Sequence, residues 1–258
     1  MDSDDHIKFL GTAGARYVVA KQLRYSAGTF IKIKDKNIIL DPGPGTLVRC
    51  AKSRPPIDVT TIDAIILSHA HIDHTNDANI LIDAMTEGGL KKGGTLFAPN
   101  DCLFGRNAVI LNYLRDFLED IKILEENKKY QIGDFTFNTS IKHRHPVETY
   151  GIIFDFNGKK ISFLVDTNYF PELIESYKNS YILILNVVRY KPHKSSKVMH
   201  LSIHDAKEII SKIRPEKTVL THFGWSMIKA KPWEVAERLT SELGVEVIAA
   251  SDGMSLEF

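Results

Sequence analysis

Residues 68–77 read SHAHIDHTND, which places three histidines and two aspartates within ten positions. The most closely spaced residues of ligand type are His69, His71, Asp73 and His74. They directly follow the apolar run IDAIIL, which is typical of a strand buried on both faces. Their spacing is neither helical nor purely strand-like, so we expect an irregular loop that points His69 and His71 one way and the other two residues another way. Two adjacent metal ions require such an arrangement, and the stretch therefore predicts a metal site.

Other residues of ligand type end or follow apolar runs later in the chain. They are His145 in KHRHPVETYG, Asp166 in FLVDTN and His222 in VLTHFGW. A weak internal repeat accompanies them, since NIILDPG, which contains Asp41, resembles SFLVDTN, and AIILSHAH resembles TVLTHFGW. If two similar halves face each other, these strand ends meet at one edge, where open α/β sheets place their sites.

The order of these residues, an Asp, then HxHxDH, then His, Asp and His, is similar to the signature of the metallo-β-lactamase superfamily. The resemblance extends from Asp41 to His222. It implies an α/β fold, a four-layer αββα sandwich of two mixed β-sheets flanked by helices. We find no Pro/Ser-rich linker, so we expect a single domain over residues 1–258.

The resemblance also implies a binuclear metal site. Its ligands fall into three groups: one metal at His69, His71 and His145, the other at Asp73, His74 and His222, and a bridge at Asp166. Asp41 would orient the ligand loop without binding metal. Ligands rich in imidazole favour two Zn²⁺ ions, although Mn²⁺ or Fe fits such a set too. Two ions would generate a metal-bound hydroxide as nucleophile, and Asp73 would orient it.

His200 lies in VMHLSIHDAKEIISKIRPEKTVLTHFG, shortly before the last ligand. This stretch resembles the phosphodiesterase branch of the superfamily, which includes ribonuclease Z and the cyclic-phosphate phosphodiesterase of phosphonate breakdown. In that branch the corresponding histidine protonates the leaving oxygen, and an alkoxide leaving from phosphorus needs such an acid. We therefore expect a phosphodiesterase with His200 as general acid.

The substrate is less defined. Only residues 146–165 separate His145 from Asp166, where ribonuclease Z commonly inserts a long arm that grips tRNA. This favours a small or cyclic phosphodiester over RNA. The phosphonate-branch enzyme carries a cysteine-rich zinc site near its N-terminus that this chain lacks, so its substrate cannot be transferred. The alternatives are a tRNA 3′-processing endonuclease, a hydrolase of lactones or thioesters, and a metal-binding protein without catalysis.

Composition sets the remaining expectations. The net charge is +1, from 33 basic and 32 acidic residues, so no global field attracts a polyanion. Cys50 and Cys102 are too few for a disulfide framework, and the N-terminus has no leader pattern, which indicates a cytoplasmic protein. No apolar run approaches the roughly 18 residues that span a bilayer, so no membrane partner is expected. The family resemblance suggests a homodimer.

Short apolar runs rich in Ile, Val and Phe predict strands. They are IKFL, TFIKI, NIILD, AIIL, TLFA, FTFN, GIIFDF, ISFLV, YILIL, TVLT, VEVIAA and SLEF. Apolar residues at helical spacing predict helices at about 75–86, 108–119, 202–213 and 232–243.

Several other polar residues have weaker claims to function. We expect His143 to face away from His145, His204 to lie on the polar side of its helix, and His6 to be solvated. GTAG at 11–14 reads as a tight turn with no evident helix after it, and Asp252 as a turn residue. Asn76 and Asp77 suit a helix N-terminus. The candidates for substrate contact are Arg16, Lys191, His193 and Lys194.

Overall fold

The computed structural model describes residues 5–26, 28–193, 195 and 198–258. The chain divides into two compact units. Unit 1 comprises Met1–Thr12, Arg24–Leu124 and Ser251–Phe258, and unit 2 comprises Ala13–Leu23 and Glu125–Ala250. The expectation of a single domain stays a prediction. Within the part of the chain that the structure describes, no helix has the length and apolar character needed to cross a membrane.

Both units are built on β-strands. The strands are β1 His6–Phe9, β2 Thr29–Ile33, β3 Lys36–Leu40, β4 Ala64–Ile66, β5 Thr95–Ala98, β6 Asp120–Ile123, β7 Lys129–Ile132, β8 Phe135–Lys142, β9 Tyr150–Phe156, β10 Lys159–Leu164, β11 Ser180–Asn186, β12 Lys217–Thr221, β13 Glu246–Ala249 and β14 Ser255–Glu257. All twelve predicted strands are confirmed.

Helices connect these strands. They are α1 Ala15–Lys21, α2 Thr46–Lys52, α3 Ile72–Thr75, α4 Ala78–Met85, α5 Asn100–Leu103, α6 Asn112–Arg115, α7 Glu172–Ser176, α8 Ile203–Ile213, α9 Trp225–Lys229 and α10 Pro232–Leu243, and one 3₁₀ turn spans Val59–Thr61.

Each unit contains one mixed seven-stranded sheet. The order in unit 1 is β14-β1-β2-β3-β4-β5-β6, and the order in unit 2 is β13-β12-β11-β10-β9-β8-β7. In unit 1 the pairs from β3 to β6 are parallel. In unit 2 the pairs from β10 to β13 are parallel. The fold class expected from the sequence, two mixed sheets flanked by helices, is confirmed.

Helices cover the parallel strands, which explains why those strands read as continuous apolar runs. In unit 1, Leu81 and Ile82 of α4 belong to the buried cluster on the sheet. In unit 2, Ile209 of α8 and Leu239 of α10 do the same. Burying each such side chain contributes about 1.5–3 kcal/mol, so these helices are held mainly by their apolar faces.

Two helix predictions are confirmed closely. The predicted helix 202–213 is α8, whose first residue follows the N-cap Ser202. The Ser202 side chain accepts a hydrogen bond from the backbone of Asp205, and the Asp205 carboxylate accepts one from the backbone of Ser202. This reciprocal cap satisfies donors at the start of α8 and fixes where the preceding loop ends. The helix predicted at 232–243 is α10.

The helix predicted at 108–119 is wrong, because only Asn112–Arg115 is helical. Side chains from elsewhere occupy the backbone groups that a longer helix would use. The Asn79 amide donates to Val109 O at 2.8 Å and accepts from Leu111 N at 2.9 Å. Local polar contacts of this kind compete with helical hydrogen bonds.

Two other local predictions need correction. The helix predicted at 75–86 is interrupted, since α3 ends at Thr75 and α4 begins at Ala78. The Asp77 N–H between them donates to Pro42 O at 2.9 Å. A helix does follow GTAG, because α1 begins directly after Gly14.

Candidate metal centre

In unit 1 the candidate ligands lie where two parallel strands end. Asp41 directly follows β3, and its N–H donates to Ile66 O at the end of β4 at 2.9 Å. Its φ of 51° is left-handed, a conformation that aspartate tolerates better than most residues. This turn brings the Asp41 side chain beside Ser68, at the start of the histidine-rich loop.

The Asp41 carboxylate accepts three hydrogen bonds from that loop. Its Oδ1 accepts from Ser68 N at 2.6 Å, and its Oδ2 accepts from Ser68 Oγ at 2.6 Å and from His74 Nδ1 at 2.9 Å. Because an ionised carboxylate only accepts, the Nδ1 atom of His74 carries the proton. The Nε2 atom of His74 is then the nitrogen whose lone pair is available to a metal.

His69 is oriented by the same contacts. Its Nδ1 lies 2.9 Å from Ser68 Oγ. The single hydroxyl hydrogen of Ser68 is donated to Asp41, so His69 Nδ1 must be the donor to Ser68 Oγ. His69 therefore also presents Nε2 as its lone-pair nitrogen. One carboxylate thus sets the tautomers of two histidines.

The loop gathers its ligand-type residues closely. The ring centroids of His69 and His71 are 4.9 Å apart, and those of His69 and His74 are 4.0 Å apart. Asp73 Oδ2 lies 3.9 Å from His74 Nε2, since α3 places both residues in one turn. Asp41, His69 and His74 offer ligand atoms within 4.8 Å of one another. Asp41 already accepts three hydrogen bonds from Ser68 and His74, and the expectation that it orients these residues without binding metal stays a prediction.

In unit 2 a second group follows the ends of β10 and β12. Asp166 is almost fully buried, and its Oδ2 lies 3.5 Å from His222 Nε2 and 3.4 Å from His200 Nδ1. Its Oδ1 accepts from the Asn186 amide at 3.0 Å. A buried carboxylate between two imidazoles is an arrangement that suits metal binding or proton transfer.

His145 belongs to this second group. Its Nδ1 donates to Met199 O at 3.1 Å, which leaves Nε2 as the lone-pair nitrogen. Its ring meets the His200 ring edge to face, with centroids 5.4 Å apart. The structure thus brings His145, Asp166, His200 and His222 together within unit 2.

Comparison with known proteins identifies the family. Residues 36–223 match the family described as a beta-lactamase superfamily domain. The chain belongs to this superfamily. It is 31% identical to an uncharacterized protein of Methanocaldococcus jannaschii, over 97% of this chain and 94% of the relative. It is 22% identical to a ribonuclease Z of Borrelia garinii, over 98% of this chain and 96% of that protein.

Solved structures have the same fold. The metallo-β-lactamase fold protein YhfI of Bacillus subtilis has a TM-score of 0.80 at 19% identity, and the match covers 98% of this chain and 99% of that one. A diphosphatase from the PhnP family has a TM-score of 0.72 at 21% identity, and 98% of each chain is covered.

Membership of the beta-lactamase superfamily implies divalent metal binding, and the donor groups fit it. His69, His74 and His145 each donate from Nδ1 to an oxygen, which fixes the tautomer that has its lone pair on Nε2. Metal-binding histidines are generally held in this way. Both groups lie at strand ends, and their assignment as metal ligands stays a prediction.

Sequence reasoning missed three residues that support the candidate ligand groups within their own units. Ser68 relays the Asp41 contact to His69, and Asn186 holds the Asp166 carboxylate. Asn186 ends the apolar run YILILN, so the strand-end criterion that selected Asp166 would have selected it too. The third is Tyr177, which contacts His143.

His143 is buried beside Asp166, and the expectation that it faces away from His145 stays a prediction. Its Nδ1 donates to Asp166 O at 3.2 Å, and its Nε2 accepts from the Tyr177 hydroxyl at 2.8 Å. Burial lowers the pKa of His143 to about 4, so the ring is neutral, as one donating and one accepting nitrogen require. His143 therefore supports the backbone beside Asp166.

Two glycines in unit 2 allow close backbone approach at His222. A Cβ on Gly14 would lie 2.2 Å from His222 O, and one on Gly224 would lie 2.5 Å from Val188 O. His222 itself has a left-handed φ of 58°. The GTAG stretch is therefore more than a turn, because its Gly14 packs against the backbone of His222.

The weaker candidates have mixed outcomes. His204 is exposed on α8, as expected. His193 is also exposed, and its Nδ1 accepts from Ser195 N at 3.0 Å. Arg16 and Lys191 are exposed, and their contact with substrate stays a prediction. Lys194 lies outside the described residues.

Asp252, His6 and Asp77 differ from the simple roles predicted for them. Asp252 is more than a turn residue, since its carboxylate accepts from the backbones of Thr12 at 2.8 Å and of Tyr25 at 2.9 Å. His6 is half-buried on β1 and not simply solvated. Asp77 precedes α4 as predicted, but its carboxylate accepts from Leu47 N at 3.0 Å and so caps α2.

Proposed function

We propose that this protein is a binuclear metal-dependent phosphodiesterase. The proposed ligands are His69, His71 and His145 for one metal, Asp73, His74 and His222 for the other, and Asp166 as the bridge. The proposed metal is Zn²⁺, because the ligand set is rich in imidazole. The bound ions would supply a water of lowered pKa and neutralise charge that develops on the phosphate oxygens.

The observation that carries the proposal is the placement of His200. Its Nδ1 lies 3.4 Å from Asp166 Oδ2, and its ring packs against that of His145. Its side chain keeps 21% of its surface exposed, whereas Asp166 keeps 2%. An imidazole beside the proposed ligands and open to solvent can deliver a proton to a leaving oxygen and then regain it from water.

Neighbouring residues define how His200 works. The Asp166 carboxylate and the His145 ring lie against the His200 imidazole and hold it in position. The α8 cap formed by Ser202 and Asp205 fixes the chain two residues further on, so His200 needs no capping role of its own. Asp73 of α3, directly after the loop that contains His69 and His71, would orient the attacking water.

We propose a small or cyclic phosphodiester as substrate. Between His145 and Asp166 the chain forms β9 and β10, joined directly by Asn157 and Gly158 with φ of 52° and 78°. A tight hairpin of this kind provides no arm to grip a folded RNA. The near-zero net charge adds no general attraction for a polyanion.

Cleavage at the 3′ end of tRNA precursors is the second candidate. It is favoured by the ribonuclease Z relatives, one of which matches over 98% of this chain. Hydrolysis of lactones or thioesters needs no acid at position 200 and is a weaker proposal. The homodimer also stays a prediction.

The test compares two phosphodiesters that differ in leaving group. Adenosine 2′,3′-cyclic phosphate releases an alkoxide that needs protonation, whereas bis(p-nitrophenyl) phosphate releases a stable phenolate. We expect His200→Ala to lower kcat on the cyclic diester about 10²- to 10⁴-fold and to affect the activated diester much less. His204→Ala, an exposed histidine of α8, is the matched control.

Metal content should be the same in the wild-type protein and in H200A, and chelation should abolish turnover in both. An unchanged rate of H200A on the cyclic diester would contradict the acid role. Two bound metals without turnover of any diester would reject the phosphodiesterase and leave lactones and thioesters as the substrates to examine.

A further inference from the structure

Unit 2 exposes a pair of aromatic side chains close in sequence to a proposed ligand. Tyr17 of α1 is 51% exposed, and Trp225 of α9 is 40% exposed. Their ring centroids are 5.1 Å apart, with the ring planes inclined by 49°. Large aromatic rings normally contribute to stability by being buried, so an exposed pair in mutual contact suggests a surface for a planar ligand.

The pair is held firmly beside His222. Trp225 follows His222 by three residues, which limits their Cα separation to about 11 Å even for an extended chain. Gly224, between them, packs so closely on Val188 that a Cβ would lie 2.5 Å from its carbonyl oxygen. Gly14, directly before α1, packs still more closely, since a Cβ there would lie 2.2 Å from His222 O. The backbones that carry both rings are therefore fixed relative to this ligand.

One cation lies over the Trp225 ring, and a second basic residue is adjacent to Tyr17 in sequence. The Lys229 ammonium lies 4.8 Å from the centroid of the Trp225 ring. Arg16 is exposed on α1 directly before Tyr17. Aromatic rings accompanied by cations suit a ligand that combines a planar ring with negative charge, and a nucleotide has both.

We propose that Trp225 and Tyr17 stack on the nucleobase of the substrate, so that the natural phosphodiester is a nucleotide ester and base stacking contributes to its selection. This inference rests on the proposed function, because it places the phosphorus of that nucleotide at the metal centre. Tyr17 and Trp225 then act in specificity and take no part in proton transfer.

Tryptophan fluorescence can report base binding without any turnover. The chain has two tryptophans, Trp225 and Trp233, and Trp233 of α10 is 52% exposed. Trp233→Phe leaves Trp225 as the only tryptophan, and Trp225→Phe leaves Trp233. Each metal-loaded variant is titrated with adenosine 5′-monophosphate and with ribose 5-phosphate. We expect adenosine monophosphate to change the emission of W233F, ribose 5-phosphate to change it much less, and neither to change that of W225F.

Kinetics test the same inference. Adenosine 2′,3′-cyclic phosphate is compared with glycerol 1,2-cyclic phosphate, which has no ring. We expect Trp225→Ala to raise KM for the adenosine ester about 5- to 100-fold, the loss that removal of one base stack produces, while kcat changes little. KM for the glycerol ester should stay the same, and Trp225→Phe should restore most of the loss. Trp233→Ala is the control.

Equal responses of Trp225 to the two monophosphates, or equal KM changes for the two cyclic esters, would overturn the inference. Self-association in sedimentation experiments that W225A abolishes would assign the pair to contact between copies instead, and would also overturn it. These failures are distinguishable from failure of the proposed function. Turnover of bis(p-nitrophenyl) phosphate tests the phosphodiesterase independently of any base.

Discussion

Asp41→Asn tests how one carboxylate prepares two histidines for metal. Asparagine is almost the same size as aspartate and also tolerates the left-handed φ of 51°, so the backbone turn should persist. What changes is hydrogen-bonding capacity. The amide oxygen of asparagine can still accept from Ser68 N. The amide nitrogen then stands where Oδ2 of Asp41 accepts from Ser68 Oγ and His74 Nδ1, and it cannot accept from either.

The consequence reaches both imidazoles. His74 Nδ1 would face a donor, which favours the tautomer protonated at Nε2, the proposed ligand atom. Ser68 Oγ would no longer donate to position 41 and could donate to His69 Nδ1, so His69 would shift in the same way. Loss of such supporting contacts typically weakens metal binding about 10- to 100-fold, or roughly 1.4 to 2.7 kcal/mol.

The assay is competition for Zn²⁺ against a chromophoric chelator, together with metal content after dialysis. Asp63→Asn is the matched control. Asp63 lies at the opposite end of β4 from the histidine loop, and its carboxylate accepts from Asn37 N at 2.8 Å and from Lys36 Nζ at 3.1 Å. We expect D63N to bind Zn²⁺ as the wild-type protein does. Unchanged zinc affinity in D41N would refute the tautomer reasoning, and an equal loss in D63N would show only general destabilisation.

Two further predictions concern buried groups. Tyr177→Phe removes the hydroxyl that donates to His143 Nε2. The free energy of unfolding, measured in urea, should therefore fall by about 1–3 kcal/mol, while the control Tyr181→Phe has little effect. A change below about 0.5 kcal/mol in Y177F would contradict this expectation. Burial raises the pKa of the Cys50 thiol to about 12, and Cys102 is buried as well. Neither cysteine should therefore react with a thiol reagent at pH 8 until the protein unfolds. Rapid reaction of the native protein would contradict the burial of both residues.

The strand ends were predictable because burial leaves a clear sign in the sequence. Continuous apolar runs marked β4, β11 and β12, and polar residues directly after such runs marked Asp166 and His222 as candidates. Two strands, β6 and β7, were not predicted because they are only partly buried. β6 and β7 expose alternate or successive positions to solvent, so DIKI and KYQI show too few apolar residues to stand out.

The false helix at 108–119 shows where local pattern fails. Its apolar spacing is helical, yet the side chain of Asn79 binds the backbone of Val109, 30 residues away in sequence, and of Leu111, 32 residues away. Such a contact forms only once the unit has folded, and a single polar side chain carries no sign of its distant partner. Tertiary hydrogen bonds therefore overrode a reasonable local preference.

The contact of His145 with Met199 is a clearer example of a contact that sequence cannot predict, because it does not depend on the type of residue at position 199. His145 Nδ1 donates to the backbone carbonyl of Met199, an atom that every amino acid possesses. The next residue is His200, whose Nδ1 lies 3.4 Å from Asp166 Oδ2. The same short segment thus fixes the tautomer of a proposed ligand and positions the proposed acid beside the bridging carboxylate. Because the carbonyl alone makes the first contact, the side chain at 199 can vary, whereas the path of the backbone between 199 and the cap at Ser202 cannot.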